Sequence, residues 1–268
     1  MVDTIKVWFT GTPRAHVPAG RRLPLADGVR FHYDGFVTCK AEAELPKLLG
    51  RDHNGRLVAN QAELDQSVAR FRAVLSQQVE FASWQLVLID LVWQFQTRPA
   101  DVILAHQWLR FPGVRKLPSL LCGGKEISWR GARLGLKFYD KAESVLRVEL
   151  RLAGGQLRKR IDADAPLDFA ELYRVFRDEV LKLSPIQLPE ARKHSWADSI
   201  AGLPLEFQNA QILNYQQGRT ARAVSGFKRD VSVARIKKVD WNLCDLLPAE
   251  NPPPLVNCEP RYRRRSRP

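Results

Sequence analysis

Across residues 133–152 apolar and polar positions alternate in two runs, a period of two that predicts a pair of β-strands joined by a short polar turn. Leu134, Leu136 and Phe138 fall on one face, with Lys137, Tyr139 and Lys141 on the other. In the second run Leu146, Val148, Leu150 and Leu152 oppose Arg147, Glu149 and Arg151. One side is a core. The other gathers a phenol, ammonium and guanidinium groups and a carboxylate on one small patch.

The same reasoning predicts a first strand over 2–10, with Ile5, Val7 and Phe9 on one side. Residues 29–40 read as a hairpin or bent strand pair turning at Asp34-Gly35, a dipeptide suited to tight turns. Leu64, Val68, Phe71, Val74, Leu75 and Val79 recur at helical spacing and predict a helix near 61–80. Residues 84–95 form a nearly continuous apolar run, as a central strand covered on both faces would, interrupted by Asp90. A helix over 99–110 follows, with Pro99 suited to its first turn, then a strand over 126–129. Beyond residue 160 helices dominate: 167–183, stopped by Ser184-Pro185; 203–217, ended by Gly218; and a basic helix over 228–239. The fold class expected is α+β, an antiparallel sheet with packed helices plus a small helical C-terminal module. The expected divisions are an α+β domain over 1–160, a helical connector over 161–200, a helix-turn-helix-like module over 201–250 and a disordered Pro/Arg-rich tail over 251–268.

Charge changes this picture. Forty-two basic residues against 29 acidic ones leave a formal net charge of +13, which points to a polyanionic partner, nucleic acid first. No apolar run reaches the roughly 18 residues of a membrane span, and no membrane role is expected. The first ten residues alternate instead of forming a signal-peptide block, so a cytoplasmic protein is expected. Cys39, Cys122, Cys244 and Cys258 lack CxxC spacing and read as reduced thiols.

The polar patch suits a nucleophile facing a phosphate: Tyr139 to attack, lysine and arginine to hold the anion, a carboxylate for a metal ion. Asp90 in its apolar strand reads either as a Mg²⁺ or Mn²⁺ ligand or as half of a buried ion pair with an arginine. Glu149 reads as a second ligand or as the acid of a cross-strand charge ladder, with Arg151 as scaffold. His53, ahead of Asn54-Gly55, is a candidate metal ligand or a solvated loop histidine, and His106 is expected to pack.

Several stretches together resemble the filamentous-phage replication initiator family. They are Met1-Val2-Asp3, Lys47 to Asn54, Ile89-Asp90, Tyr139-Asp140-Lys141 with Leu146-Arg147-Val148-Glu149, and Tyr215-Gln216-Gln217-Gly218 followed by the basic helix and Val239-Asp240. The chain departs from that family at Leu88, where an arginine is common, and it lacks the His-hydrophobic-His motif of many other rolling-circle initiators. The resemblance implies an enzyme that nicks and rejoins origin DNA through a 5′-phosphotyrosyl intermediate to start rolling-circle replication. Tyr139 would be the nucleophile and Lys141 its cationic helper. Asp90, Glu149 and His53 would hold Mg²⁺ or Mn²⁺. DNA contacts would come from Lys137, Arg147, Lys228, Arg229, Arg235, Lys237 and Lys238. The implied partners are duplex and single-stranded origin DNA, with a host helicase and polymerase. The competing expectation is a DNA-binding repressor or accessory protein that keeps the fold without the chemistry.

Overall fold

Strand patterning and helix caps place the elements of the computed structural model, which describes residues 1–14, 17–50, 57–106, 109–114, 119–122, 125–142, 144–185, 246–249 and 252–253. In chain order these are β1 (Val2–Thr10), β2 (Thr12–Pro13), β3 (Arg22–Ala26), β4 (Val29–Tyr33), β5 (Thr38–Glu44), α1 (Leu45–Leu48), α2 (Gln61–Gln78), β6 (Val79–Glu80) and β7 (Gln85–Gln96). There follow α3 (Pro99–His106), β8 (Leu109–Arg110), β9 (Ser119–Leu121), β10 (Glu126–Arg130), β11 (Leu134–Ala142), β12 (Val145–Ala153), α4 (Gly154–Arg158), α5 (Phe169–Val180) and β13 (Ser184–Pro185).

Among the described residues, nine strands form one antiparallel sheet in the order β3-β4-β5-β1-β7-β12-β11-β10-β9. The α+β class expected from the sequence is the one observed. Strand β7 lies at the centre, paired with β1 on one edge and β12 on the other. Its core-facing residues Ile89, Leu91, Trp93 and Phe95 are buried with Ile5, Val7 and Phe9 of β1 and Leu146, Val148, Leu150 and Leu152 of β12. Trp93 meets Phe169, Tyr173 and Phe176 of α5, with ring centroids 4.9–6.3 Å apart. Farther along the sheet, Phe138 of β11 is sandwiched between His106 of α3 and Trp129 of β10. His106 therefore packs, as expected: it is buried, its Nδ1 lies 2.7 Å from the Val102 carbonyl oxygen, and burial pulls its pKa down to about 4.

Local chemistry explains the element ends. Asn60 caps α2 by accepting a hydrogen bond from the Glu63 amide, and the Glu63 carboxylate accepts one from the Ala59 amide. Asp168 caps α5 in the same way through the Glu171 amide. The β4–β5 turn is held by Asp34, whose carboxylate accepts from the amides of Phe36 and Thr38.

Several segments differ from their expected extent, among them the helix expected near 61–80, which ends at Gln78 while Val79–Glu80 pairs with Thr12–Pro13. The helix predicted over 99–110 ends at His106 among the described residues, and Leu109–Arg110 instead pairs with Ser184–Pro185. The helix predicted over 167–183 spans only Phe169–Val180, because Asp168 caps it one residue earlier. It also builds its apolar face, Leu172, Val175, Phe176 and Val180, into the core of the sheet. Strand β3 was not anticipated: it contains Pro24, which a sheet accepts at an edge, and β3 is an edge. The expected helices 203–217 and 228–239 and the tail 254–268 lie outside the described residues. None of the described helices is long and apolar enough to cross a membrane.

Residues 246–249 return to α5. Leu247 is buried in the core, its carbonyl accepts from Arg177 Nε at 2.9 Å, and the Pro248 carbonyl accepts from the Tyr173 hydroxyl at 2.8 Å.

At the C-terminal end of α5, Glu179 is buried and accepts a 2.9 Å hydrogen bond from Arg160 Nη2, with Lys182 on its other oxygen. Burial pushes its pKa up, but the bonds from Arg160 and Lys182 outweigh that and hold it below the ordinary glutamate value. This stabilisation is fully present above the unfolded carboxylate pKa of about 4.3 and is lost as pH falls through the folded value. Glu179→Gln is expected to cost on the order of 3 kcal/mol at pH 7, by urea denaturation. The wild-type advantage should shrink steadily in acid, and an equal difference at pH 7 and pH 3 would refute the assignment.

Candidate active site on the polar sheet face

The sheet face opposite the core carries the polar residues of β11 and β12 in cross-strand rows. Tyr139 stands opposite Arg147, Lys137 opposite Glu149 and Gly135 opposite Arg151. On the other side of β12, Arg147 faces Gln94, Glu149 faces Val92 and Arg151 faces Asp90 of β7. The rows are fixed by register, because a slip of one residue would put Phe138 and Val148 outside.

Contacts follow from the rows. The Tyr139 hydroxyl donates to Glu149 Oε1 at 2.6 Å. Lys137 Nζ sits 4.1 Å from the centre of the Tyr139 ring and 3.7 Å from both Glu149 Oε2 and Glu126 Oε2. Arg147, only 3% exposed, places Nη2 3.1 Å from Asp3 Oδ1 and Nε 3.1 Å from Glu149 Oε1. The Nε pair attracts by charge, because its alignment does not make a hydrogen bond. Asp90 is held by Arg151 through two 2.7 Å bonds, Nε to Oδ1 and Nη2 to Oδ2, the bidentate geometry that favours arginine over lysine.

The electrostatics are those of a crowded, half-buried cluster. Burial raises the Tyr139 pKa, and the carboxylates of Glu149 and Asp3 raise it further against the opposing effect of Arg147. The phenol stays protonated well above neutral pH. Asp90 is also raised, by burial first and then by Glu149 and Asp3, with Arg151 opposing. Four carboxylates, Asp3, Asp90, Glu126 and Glu149, are answered by four cations, Arg130, Lys137, Arg147 and Arg151.

This arrangement sorts the expected site residues. Tyr139, Glu149, Lys137 and Arg147 come together on one face. Lys141 does not keep the alternation. The pairing passes from Asp140↔Leu146 to Ala142↔Val145, so Lys141 is the extra residue of a bulge and leaves the Tyr139 row. The ammonium against the phenol ring is that of Lys137. Asp90 takes its ion-pair alternative, and Arg151, expected as scaffold, is its partner. Asp3 was missed as a site residue. It falls where the β1–β7 register shifts between Val2 and Thr4, which sequence alternation does not reveal. His53, Lys228, Arg229, Arg235, Lys237 and Lys238 lie outside the described residues.

Mg²⁺ or Mn²⁺ was expected at Asp90, Glu149 and His53, of which Asp90 and Glu149 are among the described residues. Among the described residues, no three His, Cys, Asp or Glu side chains converge as metal ligands. Both oxygens of Asp90 are taken by Arg151, while Glu149 is shared by Tyr139, Arg147 and Lys137. A divalent ion would have to displace these cations, so the described residues do not fit the metal as arranged.

No protein-family model matches the chain, and neither does any curated protein sequence. A solved structure described as a rolling circle replication initiator protein from Geobacillus stearothermophilus is similar at 15% identity, covering 88% of this chain and 97% of that one, with a TM-score of 0.39. A superposition this loose does not establish a shared fold.

Because burial and Glu149 hold the Tyr139 proton, its phenolate absorbance is expected to be missing at about pH 11, where a solvated tyrosine of pKa near 10 is ionised. Tyr139→Phe should then leave the phenolate signal of the folded protein at about pH 11 unchanged. A loss equal to one tyrosine would show that the group ionises normally.

Proposed function

We propose that the chain is a DNA-nicking and strand-joining enzyme that initiates rolling-circle replication, with Tyr139 as nucleophile. The observation that carries this reading is the 2.6 Å hydrogen bond from the Tyr139 hydroxyl to Glu149, with Lys137 against the ring and Arg147 beside both groups. It is the nucleophile, base and orienting-group arrangement of covalent catalysis. A tyrosine with a raised pKa holds almost no phenolate at neutral pH, so its proton must leave as it attacks. Glu149 is positioned to receive that proton, a general-base role in place of the ligand role expected from the sequence.

In the reaction, Tyr139 Oη bonds to the phosphorus of a phosphodiester while its proton passes to Glu149. The bond from phosphorus to O3′ breaks, leaving a 5′-phosphotyrosyl link. The departing O3′ takes a proton from a lysine ammonium, a role for which Lys137, 4.1 Å from the centre of the Tyr139 ring, is placed. Arg147 and Lys137 offset the charge developing on the phosphoryl oxygens. Rejoining runs the same steps backwards, with the 3′-OH as attacker. Origin recognition would fall to the basic 228–239 segment, with a host helicase and polymerase as partners; Mg²⁺ or Mn²⁺ would enter only by displacing the cations that hold Asp90 and Glu149.

A second reading, a DNA-binding accessory protein without chemistry, draws support from one observation: Arg151 closes on both oxygens of Asp90. The two readings separate in one assay. Supercoiled DNA of the chain's own element should be converted to open circles with protein on the 5′ end. Tyr139→Phe should abolish the covalent product, and Glu149→Gln should slow nicking by about 10²- to 10⁴-fold. Nicking by Tyr139→Phe at the wild-type rate would overturn the nucleophile. Specific binding without cleavage, with or without Mg²⁺ or Mn²⁺, would favour the accessory protein.

A further inference from the structure

The polar cluster around Tyr139 carries no surplus positive charge, yet the chain has a formal net charge of +13. A surplus does occur on the same sheet face at the other end, across β3, β4, β5 and β1. One row there reads Arg22, His32, Lys40 and Trp8, and the next contains Arg30, Glu42 and Lys6. Lys6, Arg22 and Arg30 converge on the single carboxylate of Glu42. Lys40 is exposed and forms no ion pair with a described residue. Lys6, Arg22, Arg30, His32, Lys40 and Glu42 line a shallow depression of about 330 Å³.

Beside this basic depression lie all of the exposed large hydrophobic residues among those described: Trp8 at 38%, Phe36 at 81% and Val37 at 59%. Phe36 and Val37 form the tip of the β4–β5 hairpin, and the Val37 carbonyl accepts from the Gly11 amide at 3.1 Å, close to the Trp8 end of β1. The tip is built to stay in place. Asp34 accepts from two amides of the turn, and the Tyr33 hydroxyl donates to the Phe36 carbonyl at 2.6 Å. A preordered turn displaying two apolar side chains next to four cations is costly unless a ligand covers it. Flat aromatic rings beside a cationic groove match single-stranded DNA, whose bases stack while its phosphates are neutralised.

We propose that the corner formed by Trp8, Phe36, Lys40 and Arg22 is a single-stranded DNA site, separate from Tyr139, in which bases stack on Trp8 and Phe36. The choice of DNA over another polyanion rests on the function proposed above. Trp8 stands opposite Gln85 and Arg147 opposite Gln94, so the two sites are separated by nine residues of β7, about 30 Å at a strand's rise. This corner supplies affinity and holds one strand of opened DNA, while the neutral cluster performs the chemistry.

The test uses the full chain and fluorescently labelled oligothymidylate, which contains no origin sequence, with binding read by anisotropy. Trp8→Ala and Phe36→Ser are each expected to weaken binding by about 5- to 150-fold, the range typical of one lost stacking contact. Trp8→Tyr, which keeps a ring, should restore most of the affinity and guards against a folding defect. Lys40→Gln should reduce the slope of log affinity against log salt by about 0.7. Wild-type affinity in both Trp8→Ala and Phe36→Ser overturns the proposal. So does a change in sedimentation of Phe36→Ser without a change in DNA binding, which would make the hairpin tip a protein contact. The readout is independent of cleavage. A chain that binds through Trp8 but never nicks keeps this site and loses the nickase reading. A chain that nicks while Trp8→Ala binds normally does the reverse.

Discussion

Strand β7 is hydrogen-bonded along both edges, and that double pairing is the constraint on which the rest of the structure depends. It forces the strand to present two unlike faces at once. One must be buried, and Trp93 accomplishes this by packing into three aromatic rings of α5. The other carries Asp90, which a dehydrated sheet tolerates only with a partner, and β12 supplies Arg151 in the adjacent row. The register that seats Leu150 and Val148 in the core therefore also decides which charges meet above it. Packing and site geometry share one cause.

On that upper face the balance of charge is close to complete. Burying ions stabilises little unless each is matched, and the main effect of the matching is to fix orientation. Arg147 is the clearest case: almost wholly buried, it spans Asp3, Glu149 and the Tyr139 ring, so three strands hold its guanidinium at one point. The phenol in such a setting has a defined direction and a high pKa together. Its proton has an acceptor already in contact, Glu149. Long-range attraction for the proposed DNA partner would have to come from elsewhere on the molecule.

How much of this could be read in the sequence depended on whether the relevant signal was local. The β11–β12 hairpin was legible because its alternation holds over Leu134–Asp140 and Val145–Leu152, and so were the facing groups Lys137, Tyr139, Arg147 and Glu149. The pairing of Asp90 with Arg151 was open, because 61 residues separate them and only the β7–β12 register brings them together. Lys141 was misplaced by a bulge and Asp3 was overlooked at a register shift, both irregularities that periodicity averages away. The edge strand β3 was hidden by its proline. Alternation reports which face a residue occupies, and pairing between distant strands decides which neighbour it meets.

Helix α5 holds a segment far from it in sequence, because the carbonyls of Leu247 and Pro248 accept from Arg177 and Tyr173. These contacts bridge 75 and 70 residues of sequence, so the closure entropy of joining such distant positions is met once, when the domain folds. A cut in the chain between Pro185 and Leu246 would therefore free Leu247 from α5 only if these two hydrogen bonds and the burial of its side chain were lost as well.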